Sequence, residues 1–459
     1  MTIETAIDNL RTLLGDRLTT LDAILDQHGQ NEAYYPVTPP DAVAFPESTT
    51  EVSEIIEICA KHACPVIAFG TGTSLEGHQL ALQGGISLDM SRMNAVLAVN
   101  AEDMDAVVQP GVTREQLNED LRATGLFFPV DPGANASLGG MAATRASGTT
   151  AVRYGTMKEN VMALEVVLAD GTIIRTGTRA RKSSAGYDLT KLIVGSEGTL
   201  GIITELTLRL QGQPEAISAA TCRFPDIDAA VNTVIQTIQT GIPMARIELI
   251  DAMMVRGFNK MDGTTLPEAP HLFLEFHGSD NAVAEQAEQF GEIAADFGGD
   301  DFKWTTKAED RNALWKMRHN AFNAHKALTP SLPALATDIC VPISRLAEAI
   351  DFAVEKSEAL ELITTIVGHV GDGNFHCSLS FDPDDKIQSA RVQDFMHQLA
   401  RQAISLDGTI TGEHGVGVGK MKYMQEEHGE ALTVMRSIKR AMDPNNILNP
   451  GKILPPSNQ

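Results

Sequence analysis

The chain has 459 residues, with 36 lysines and arginines against 60 aspartates and glutamates, so its formal net charge is −24. Such a charge repels phosphate backbones and anionic lipids, which argues against nonspecific binding to nucleic acid or to a membrane surface. The hydrophobic content of 43% is typical of a globular chain, and this length corresponds to about three domains.

The N-terminus lacks the basic and apolar regions of a signal peptide, and the sequence has no apolar run of roughly eighteen residues that could span a membrane. The five cysteines are scattered and odd in number, which is typical of reduced thiols. We therefore expect a cytoplasmic protein. Peripheral attachment to a membrane and assembly into a homodimer stay open.

The first part of the chain alternates predicted helices and strands. Apolar residues recur at intervals of three and four from Ile3 onward, which predicts one helix to about Gln30. A second predicted helix begins near Thr50, and the apolar run 65–69 predicts a buried strand that leads into a glycine-rich segment at 70–78. Further strands are predicted at 85–90, 95–100, 105–111, 161–168, 172–177 and 199–210, with a helix between Thr113 and Gly125.

The pattern changes after Gly212. Alternating strands and helices predict a second, α+β domain at residues 215–405. Its strands are predicted at 218–224, 245–251, 271–278, 335–343, 363–370 and 376–381. The last segment, 406–459, has no strand pattern and is predicted to return to the first domain, 1–214. The predicted fold class is therefore α+β, a two-part domain interrupted by an inserted antiparallel sheet with helices.

The glycine-rich segment GTGTSLEGH presents successive backbone N–H groups that can cradle a phosphate or pyrophosphate. It does not match the dinucleotide fingerprint GxGxxG, because Leu75 stands where the last glycine is required. It does not match the Walker pattern, because His78 and Gln79 replace the lysine and Ser/Thr. A tight surface turn is the competing interpretation. Two more small-residue tracts, 131–149 and 195–205, favour one large ligand approached by three stretches of backbone.

Two histidines flank the turn sequence GDGN in the segment 364–381. With Asp372 and Gly373 as a two-residue turn, His369 and His376 are predicted to lie directly opposite each other on paired strands. The Cβ atoms of such a pair are roughly 4.5 to 5.5 Å apart, a spacing at which two imidazoles can bind one metal ion. A solvated histidine pair on a hairpin surface is the competing interpretation.

Glu413 and His414 stand between glycines in the segment GEHGVGVGK. Glu413 would complete a set of two histidines and one carboxylate with open coordination positions, a set that fits zinc, manganese or iron. Because adjacent residues of an extended chain point in opposite directions, we expect His414 to act as an acid–base group. A hydrogen-bonded structural histidine is the alternative role for His414.

The glycine-rich segments, in their order along the chain, resemble the flavin-binding domain of the vanillyl-alcohol oxidase and p-cresol methylhydroxylase superfamily. The resemblance implies that the first segment wraps the FAD pyrophosphate, the second lines the ribityl chain and isoalloxazine, and the third contacts the adenosine side. The residues implied to bind FAD are Gly70, Thr71, Gly72, Thr73, Ser74, Gly77, His78, Pro132, Gly139, Ser147, Gly148, Tyr154, Gly155, Glu197, Gly198 and Ile202. Members with covalent flavin carry histidine at the place of Thr73, so noncovalent FAD is expected.

The segments GHVGDGNFHCS and TGEHGVGVGK resemble the signature of the FAD-linked D-2-hydroxyacid dehydrogenases, most closely the cytochrome-linked D-lactate dehydrogenases. This resemblance implies metal ligands at His369, His376 and Glu413 and a base at His414. It also implies that Arg318 pairs with the substrate carboxylate, which suits the planar fork of a guanidinium. A solvated charge on a helix is the alternative for this arginine.

The same resemblance implies oxidation of a D-2-hydroxy acid, above all D-lactate, to the 2-oxo acid by hydride transfer to flavin. The electrons would pass on to a cytochrome, a quinone or an electron-transfer protein. Ser378 and Phe322 stand where D-2-hydroxyglutarate dehydrogenases commonly have Asn and Thr, which favours a small monocarboxylate. Glycolate or D-2-hydroxyglutarate oxidation, a redox-silent flavoprotein and a noncatalytic subunit of a larger complex are the alternatives.

Overall fold

The structure is a computed structural model that describes residues 2–31, 33 and 35–456. The chain forms two compact units. The first unit consists of Met1–Ser147, Gly155–Gln213 and Glu413–Gln459. The second unit consists of Gly148–Tyr154 and Pro214–Gly412.

The first unit contains two main sheets and a short ribbon. A four-stranded sheet has the spatial order Leu18–Thr19, Ala42–Ala44, Ile86–Asp89 and Val66–Phe69. Its last three strands are parallel. An antiparallel five-stranded sheet has the order Val96–Asn100, Asp105–Val108, Ile202–Arg209, Val161–Val167 and Ile173–Arg175. The ribbon pairs Leu126–Phe127 with Gln211–Gly212.

The helices of the first unit are short, and several begin at the capping residues that the sequence indicates. Thr113 accepts a hydrogen bond from the Gln116 N–H at 3.2 Å, as its capping-box spacing predicts. The α-helices are Ile3–Leu14, Asp22–Gly29, Thr49–His62, Arg114–Asp120, Leu138–Thr144, Met157–Asn160, Leu189–Ile193, Met424–His428 and Ala431–Met442. Single 3₁₀ turns occupy Gly15–Arg17, Met90–Arg92, Arg122–Thr124 and Met421–Tyr423.

The prediction of one N-terminal helix to about Gln30 is wrong. The first helix ends at Leu14, because Gly15 adopts a left-handed backbone with φ 57°. Leu18–Thr19 then pairs with Ala42–Ala44 as an edge strand before a second helix begins. Pairing with a distant strand therefore overrides the local helical periodicity.

The C-terminal segment extends the four-stranded sheet. The N–H of Val66 donates to the carbonyl oxygen of Ile447 at 2.8 Å, and the N–H of Asn449 donates to the carbonyl of Val66 at 2.9 Å. These bonds hold the end of the chain beside the strand that leads into the glycine-rich segment.

The second unit is built on one antiparallel sheet of eight strands that differ in length. Its spatial order is Asp300–Thr305, Ala216–Arg223, His271–Gly278, Met244–Ile250, Thr364–His369, Asn374–Ser380 and Ala334–Ala336, with Ile339–Cys340 also paired to Asn374–Ser380. Its α-helices are Ala151–Tyr154, Ile227–Gln239, Ala252–Asp262, Asp280–Asp296, Ala308–His319, Ala321–Leu328, Leu346–Ala359 and Lys386–Ser405, with a 3₁₀ turn at Ile343–Arg345.

The two faces of this sheet are covered differently. One face forms the large apolar core, into which the helices Ile227–Gln239, Asp280–Asp296, Leu346–Ala359 and Lys386–Ser405 pack. The other face has a smaller apolar cluster with Ala252–Asp262, Ala308–His319 and Ala321–Leu328. The polar side chains described below lie on this second face, because they alternate along their strands with residues of the large core.

The units divide the chain at slightly different places from the predicted domains. The predicted boundaries lie after residues 214 and 405, whereas the units divide after Gln213 and Gly412. The later division follows from pairing, because Thr409 bridges Cys340 and Thr411 donates to Asp338 at 2.6 Å. Residues 148–154 join the second unit, where Arg153 donates to the carbonyl of Pro243 at 2.6 Å.

Candidate functional site

A large cavity in the first unit is formed by the three glycine-rich segments. About 1440 Å³ of space lies between its walls, part of it open to solvent. The predicted FAD residues on its walls are Gly70, Thr71, Gly72, Thr73, Ser74, His78, Pro132, Gly139, Ser147, Glu197, Gly198 and Ile202.

The first wall is the backbone that follows strand Val66–Phe69. The N–H groups of residues 70 to 74 make no hydrogen bonds to other residues within the described part of the chain. Gln79 holds the turn by donating to the carbonyl of Gly72 at 3.2 Å. A Cβ atom on Gly70 would lie 2.2 Å from the Ser137 hydroxyl, so a side chain there would crowd the second wall. A row of unpaired N–H groups beside a cavity suits phosphate oxygens.

Glu197 ties the third segment to the C-terminal GEHGVGVGK segment. Its backbone is left-handed, with φ 53°, and its buried carboxylate accepts from the N–H groups of Val416 at 2.7 Å and Gly417 at 2.9 Å. Nε2 of His78 lies 3.3 Å from the same carboxylate without hydrogen-bond alignment. Burial acts to raise the pKa of Glu197, but His78 and the two N–H donors outweigh it and lower that pKa. Glu197 is therefore an anion on the cavity wall that, with the two N–H groups it binds, forms a clamp between the third segment and the C-terminal segment.

Two residues near the C-terminus complete this clamp, and the sequence analysis missed both. Asn449 donates to the carbonyl oxygens of His78 at 3.1 Å and Glu197 at 2.8 Å. Lys452 donates to the carbonyl of Leu80 at 2.7 Å and to the Asn449 side chain at 3.2 Å. Burial lowers the pKa of Lys452 to about 8, although Glu197 opposes that shift. The motif NPGK, with Asn and Lys around a turn, is the available signal.

Within the described residues, His78 contributes an unpaired polar atom to this cavity. The side chain is 7% exposed, and its Nδ1 has no hydrogen-bond partner. A buried imidazole nitrogen without a partner is costly unless a ligand or water satisfies it. The N–H groups of residues 70 to 74 make the cavity fit a ligand rich in acceptor oxygens, and His78 Nδ1 adds a polar atom with which the ligand can pair.

Four predicted FAD residues are not among those that line this cavity. Gly77 is packed behind it, where a Cβ atom would lie 3.0 Å from Leu80. Gly155 has φ 76° and lies against Glu159. Gly148 and Tyr154 belong to the second unit, where the Tyr154 hydroxyl is 2.6 Å from Nδ1 of His277.

Glu413 and His414 also line the cavity of the first unit. They stand at the point where the chain leaves the second unit, because Gly412 is the last residue of that unit and Glu413 is bonded to it. The structure therefore brings the predicted acid–base histidine together with the three glycine-rich segments.

In the second unit, His369 and His376 are brought together, but not in the predicted register. His369 pairs with Asn374 and His376 pairs with Val367, so residues 370–373 form a longer turn than the predicted two-residue one. Diagonal positions two residues apart still share a sheet face. The two imidazole centroids are 5.4 Å apart. The prediction that His369 and His376 lie directly opposite each other is wrong, but the two side chains are close together as that prediction implied.

Each of these histidines is held through its Nδ1. His369 Nδ1 lies 2.7 Å from Oε1 of Glu248, and His376 Nδ1 lies 3.0 Å from the carbonyl oxygen of Thr337. Both partners are acceptors, so each Nδ1 carries the proton and each Nε2 carries the lone pair. Metal-binding histidines are generally held in this way.

Glu248 also binds Arg318. Oε2 of Glu248 accepts a hydrogen bond from Arg318 Nε at 2.9 Å and forms an ion pair with Nη2 at 2.6 Å. Burial acts to raise the pKa of Glu248, but His369 and Arg318 outweigh it and hold that pKa below its usual range. Arg318 is therefore no solvated surface charge: it is 7% exposed and paired.

Asp338 supports the other histidine. Its Oδ1 lies 3.8 Å from His376 Nδ1 and accepts from Asn374 Nδ2 at 2.8 Å, and its Oδ2 accepts from Thr411 at 2.6 Å. Glu248 and Asp338 are both functional candidates that the sequence analysis missed. For Glu248 the available signal is an acid that stands between apolar residues of the strand Met244–Ile250, whereas Asp338 lies between the strands Ala334–Ala336 and Ile339–Cys340 and offers no such pattern.

A second Glu–His pair lies on the neighbouring strand of the same sheet. Oε1 of Glu275 is 2.8 Å from Nε2 of His277, whose other nitrogen meets the Tyr154 hydroxyl. Burial raises the pKa of Tyr154 above its ordinary value. The guanidinium of Arg246 stacks 4.6 Å over the ring of Trp315.

Within residues 2–31, 33 and 35–456, no helix combines the length and the apolar character that a membrane crossing requires. All five cysteines are free thiols, as their scattered spacing predicts.

Comparisons with known proteins identify both parts of the chain. The family profile described as "FAD binding domain" matches residues 40–177, and "FAD linked oxidases, C-terminal domain" matches residues 213–453. The "Probable D-lactate dehydrogenase, mitochondrial" of Danio rerio is 50% identical over 98% of this chain and 92% of its own length. The "D-lactate dehydrogenase [cytochrome], mitochondrial" of Arabidopsis thaliana is 48% identical over 98% of this chain and 80% of its own length.

A solved structure of p-cresol methylhydroxylase with substrate bound shares the fold. Its TM-score is 0.81 at 18% identity, over 99% of this chain and 98% of that chain. The predicted fold class, an FAD-binding domain of the vanillyl-alcohol oxidase and p-cresol methylhydroxylase type with an inserted sheet, is confirmed.

Proposed function

The chain belongs to the family of FAD-linked oxidases, and on that premise we propose that it is a dehydrogenase that oxidises D-lactate to pyruvate. The observation that carries the substrate assignment is the near-half identity, along almost the whole chain, to two relatives named D-lactate dehydrogenase. Ser378 and Phe322, which remove polar groups that a second carboxylate could use, are consistent with a small monocarboxylate.

The cavity of the first unit is the proposed FAD site. The N–H groups of residues 70 to 74 would bind the phosphate oxygens, and His78 would satisfy its Nδ1 on the ligand. Thr73 stands where members of the superfamily with covalent flavin carry a histidine, and this supports noncovalent binding of FAD. FAD, when bound there, supplies the acceptor for the two electrons that leave the substrate with its α-hydrogen.

We propose that Arg318 binds the substrate carboxylate. Its Nε and Nη2 are occupied by Glu248, and its Nη1 makes no hydrogen bond to the described residues, so one edge of the guanidinium is available to an incoming acceptor. A charge-assisted bond to this edge fixes the carboxylate and thereby the orientation of the neighbouring carbon.

His369 and His376 are proposed to hold a divalent metal ion, with Glu413 as the third ligand. Two imidazoles whose Nδ1 atoms donate to oxygen acceptors support such a site. Chain continuity supports Glu413, because Gly412 packs so tightly that a Cβ atom there would lie 2.2 Å from Asn374 Nδ2, and adjacent Cα atoms are only about 3.8 Å apart. His369, His376 and Glu413 would hold the ion, which would lower the pKa of the substrate hydroxyl.

His414 is proposed as the base. A ring nitrogen of His414 takes the proton of the substrate hydroxyl as the 2-hydroxy acid becomes the 2-oxo acid. The substrate then loses two electrons and two protons overall. A cytochrome is the proposed final electron acceptor, because the Arabidopsis relative is named for it. The cytoplasmic location stays a prediction. The names of both relatives place those proteins in mitochondria.

Anaerobic addition of D-lactate to the purified holoprotein tests the function. The flavin absorbance is expected to bleach with D-lactate and to persist with L-lactate, the matched control. Turnover of D-lactate should exceed that of glycolate and D-2-hydroxyglutarate. A clear preference for the dicarboxylate would contradict the proposal, and no bleaching with any 2-hydroxy acid would indicate a redox-silent flavoprotein.

The metal assignment has a separate test. Dialysis against a strong chelator, followed by elemental analysis, is expected to remove zinc, manganese or iron and to abolish turnover while the flavin stays bound. Unchanged turnover in a protein shown to be free of metal would sink the assignment. His414→Ala should bind FAD and D-lactate but turn over at least about 10²-fold more slowly.

A further inference from the structure

We propose that Glu248 is the positioning residue of the second unit, and that it orients His369 for metal binding and Arg318 for the substrate carboxylate at the same time. The inference rests on the proposed function, which supplies the roles of those two side chains. Glu248 itself would touch neither metal nor substrate. It acts through the two groups that do.

The geometry divides the carboxylate between its two partners. Glu248 lies in the central strand Met244–Ile250 and has no solvent exposure. Oε1 accepts from His369 Nδ1 at 2.7 Å, whereas Oε2 accepts from Arg318 Nε at 2.9 Å and forms an ion pair with Nη2 at 2.6 Å. Neither oxygen is shared between the two partners. One rigid group therefore sets the directions of two side chains from separate parts of the chain.

For His369 the consequence concerns the tautomer. A carboxylate oxygen can only accept, so Nδ1 must carry the ring proton and Nε2 must carry the lone pair. That lone pair is the one that a metal ion requires. If a donor faced Nδ1 instead, the proton would move to Nε2 and the imidazole could no longer bind a metal through that atom.

For Arg318 the consequence concerns orientation and charge. Glu248 occupies one edge of the guanidinium and leaves the edge with Nη1 for the substrate. It also compensates the positive charge, which is required for an arginine that is 7% exposed. Because the pair is neutral overall, the net positive charge that attracts a carboxylate must come from the metal ion. Arg318 would therefore orient the substrate carboxylate, and the metal ion would attract it.

A purely structural ion pair is the competing explanation, and Glu248→Gln separates the two. Glutamine has the shape of glutamate but carries one acceptor oxygen and one NH₂ donor. If its NH₂ group faces His369, the metal-binding tautomer is lost. If it faces Arg318, two donors oppose each other and the guanidinium loses its orientation. The variant therefore cannot serve both partners.

Glu275→Gln is the matched control. Glu275 lies on the adjacent strand His271–Gly278, is 6% exposed, and holds His277 at 2.8 Å in the same kind of pair. It makes no hydrogen bond or ion pair with His369 or Arg318 among the described residues. The same substitution therefore perturbs the same sheet, but it leaves the hydrogen bond to the proposed metal ligand His369 intact.

The experiment measures metal content, kcat and KM for D-lactate, and the melting temperature of both holoprotein variants. Glu248→Gln is expected to weaken metal affinity about 10- to 100-fold, to raise KM for D-lactate at least about tenfold, and to retain FAD. Glu275→Gln is expected to keep the metal content and KM of the wild type. If Glu248→Gln binds metal as tightly as the wild type with an unchanged KM, the inference is wrong.

A second variant covers the case in which Glu248→Gln does not fold. In the double variant Glu248→Met with Arg318→Met, the buried ion pair becomes an apolar pair of similar size, which proteins often tolerate. It should fold and still lose metal affinity about 10- to 100-fold, because His369 Nδ1 has no acceptor. Wild-type metal affinity in this variant would also refute the inference. A wild-type protein without metal or D-lactate turnover would instead refute the proposed function.

Discussion

Removal of the Glu197 carboxylate is the sharpest test of how the cavity of the first unit is built. The group is 5% exposed and accepts two backbone N–H groups, those of Val416 and Gly417, while lying 3.3 Å from His78. In Glu197→Ala both N–H groups lose their anionic acceptor. The segment that carries Glu413 and His414 then loses its attachment to the cavity wall.

The expected loss follows from the number and type of these bonds. Hydrogen bonds to a charged group contribute about 1.5–3 kcal/mol each, so two of them give a loss of about 3–6 kcal/mol in Glu197→Ala. Glu197→Gln keeps one acceptor oxygen and should lose about half of that amount. Because the clamp lowers the pKa of Glu197, its contribution is present at neutral pH and declines as acidification protonates the folded carboxyl.

Urea unfolding and FAD titration of the apoprotein measure these effects. Glu205→Ala is the control, because Glu205 pairs at 2.9 Å with Arg175, whose side chain is 63% exposed, and such surface pairs contribute about 0–1 kcal/mol. We expect Glu197→Ala to unfold at a clearly lower urea concentration than Glu205→Ala and to bind FAD at least about tenfold more weakly. Equal midpoints and equal FAD affinity for the two variants would refute the clamp.

Three further predictions follow from particular residues. Burial lowers the pKa of His325 from 6.5 to about 4, so the unfolded chain gains the proton first on acidification. Between pH 6.5 and 4 the free energy of unfolding of the wild type should therefore fall by up to about 3 kcal/mol relative to that of His325→Gln. Urea unfolding at several pH values measures this difference. If the free energies of the two proteins change in parallel with pH, the prediction is wrong. Gly417→Ala should weaken FAD binding at least about tenfold, because its Cβ atom would lie 2.1 Å from the Glu76 carbonyl, whereas Gly212→Ala, with nothing within 4 Å, should not. Acid precipitation should release the flavin into the supernatant, and a yellow pellet would show a covalent bond instead.

The parts of the site that could be predicted from the sequence depend on local backbone properties. Glycines at 70 and 72 leave a run of N–H groups open, and this depends on the missing side chains rather than on distant partners. Similarly, His369 and His376 share a sheet face because the side chains of strands alternate with a period of two. The segments GHVGDGNFHCS and TGEHGVGVGK resemble those of FAD-linked D-2-hydroxyacid dehydrogenases, so short motifs alone indicated the family.

The hairpin register shows where local reasoning stops. The turn sequence GDGN is compatible with a two-residue turn, yet the strands end at His369 and resume at Asn374. Gly373 packs so closely on the Val341 carbonyl that a Cβ atom would lie 2.0 Å from it. Contact with distant backbone, just after the strand Ile339–Cys340, therefore helps to decide the turn length, and the predicted direct opposition fails for that reason.

By itself, the sequence determined the fold class, the glycine-lined cavity and the identities of the two histidines. Only the tertiary structure decided which acids support them. Glu248 is 121 positions from His369, and Glu197 is 219 positions from Val416. Such pairs carry no local periodicity or spacing, because strand order and packing bring them together. An acid within an apolar strand can be noticed in a sequence, but its partner is set by the neighbouring strand and the helix that covers it.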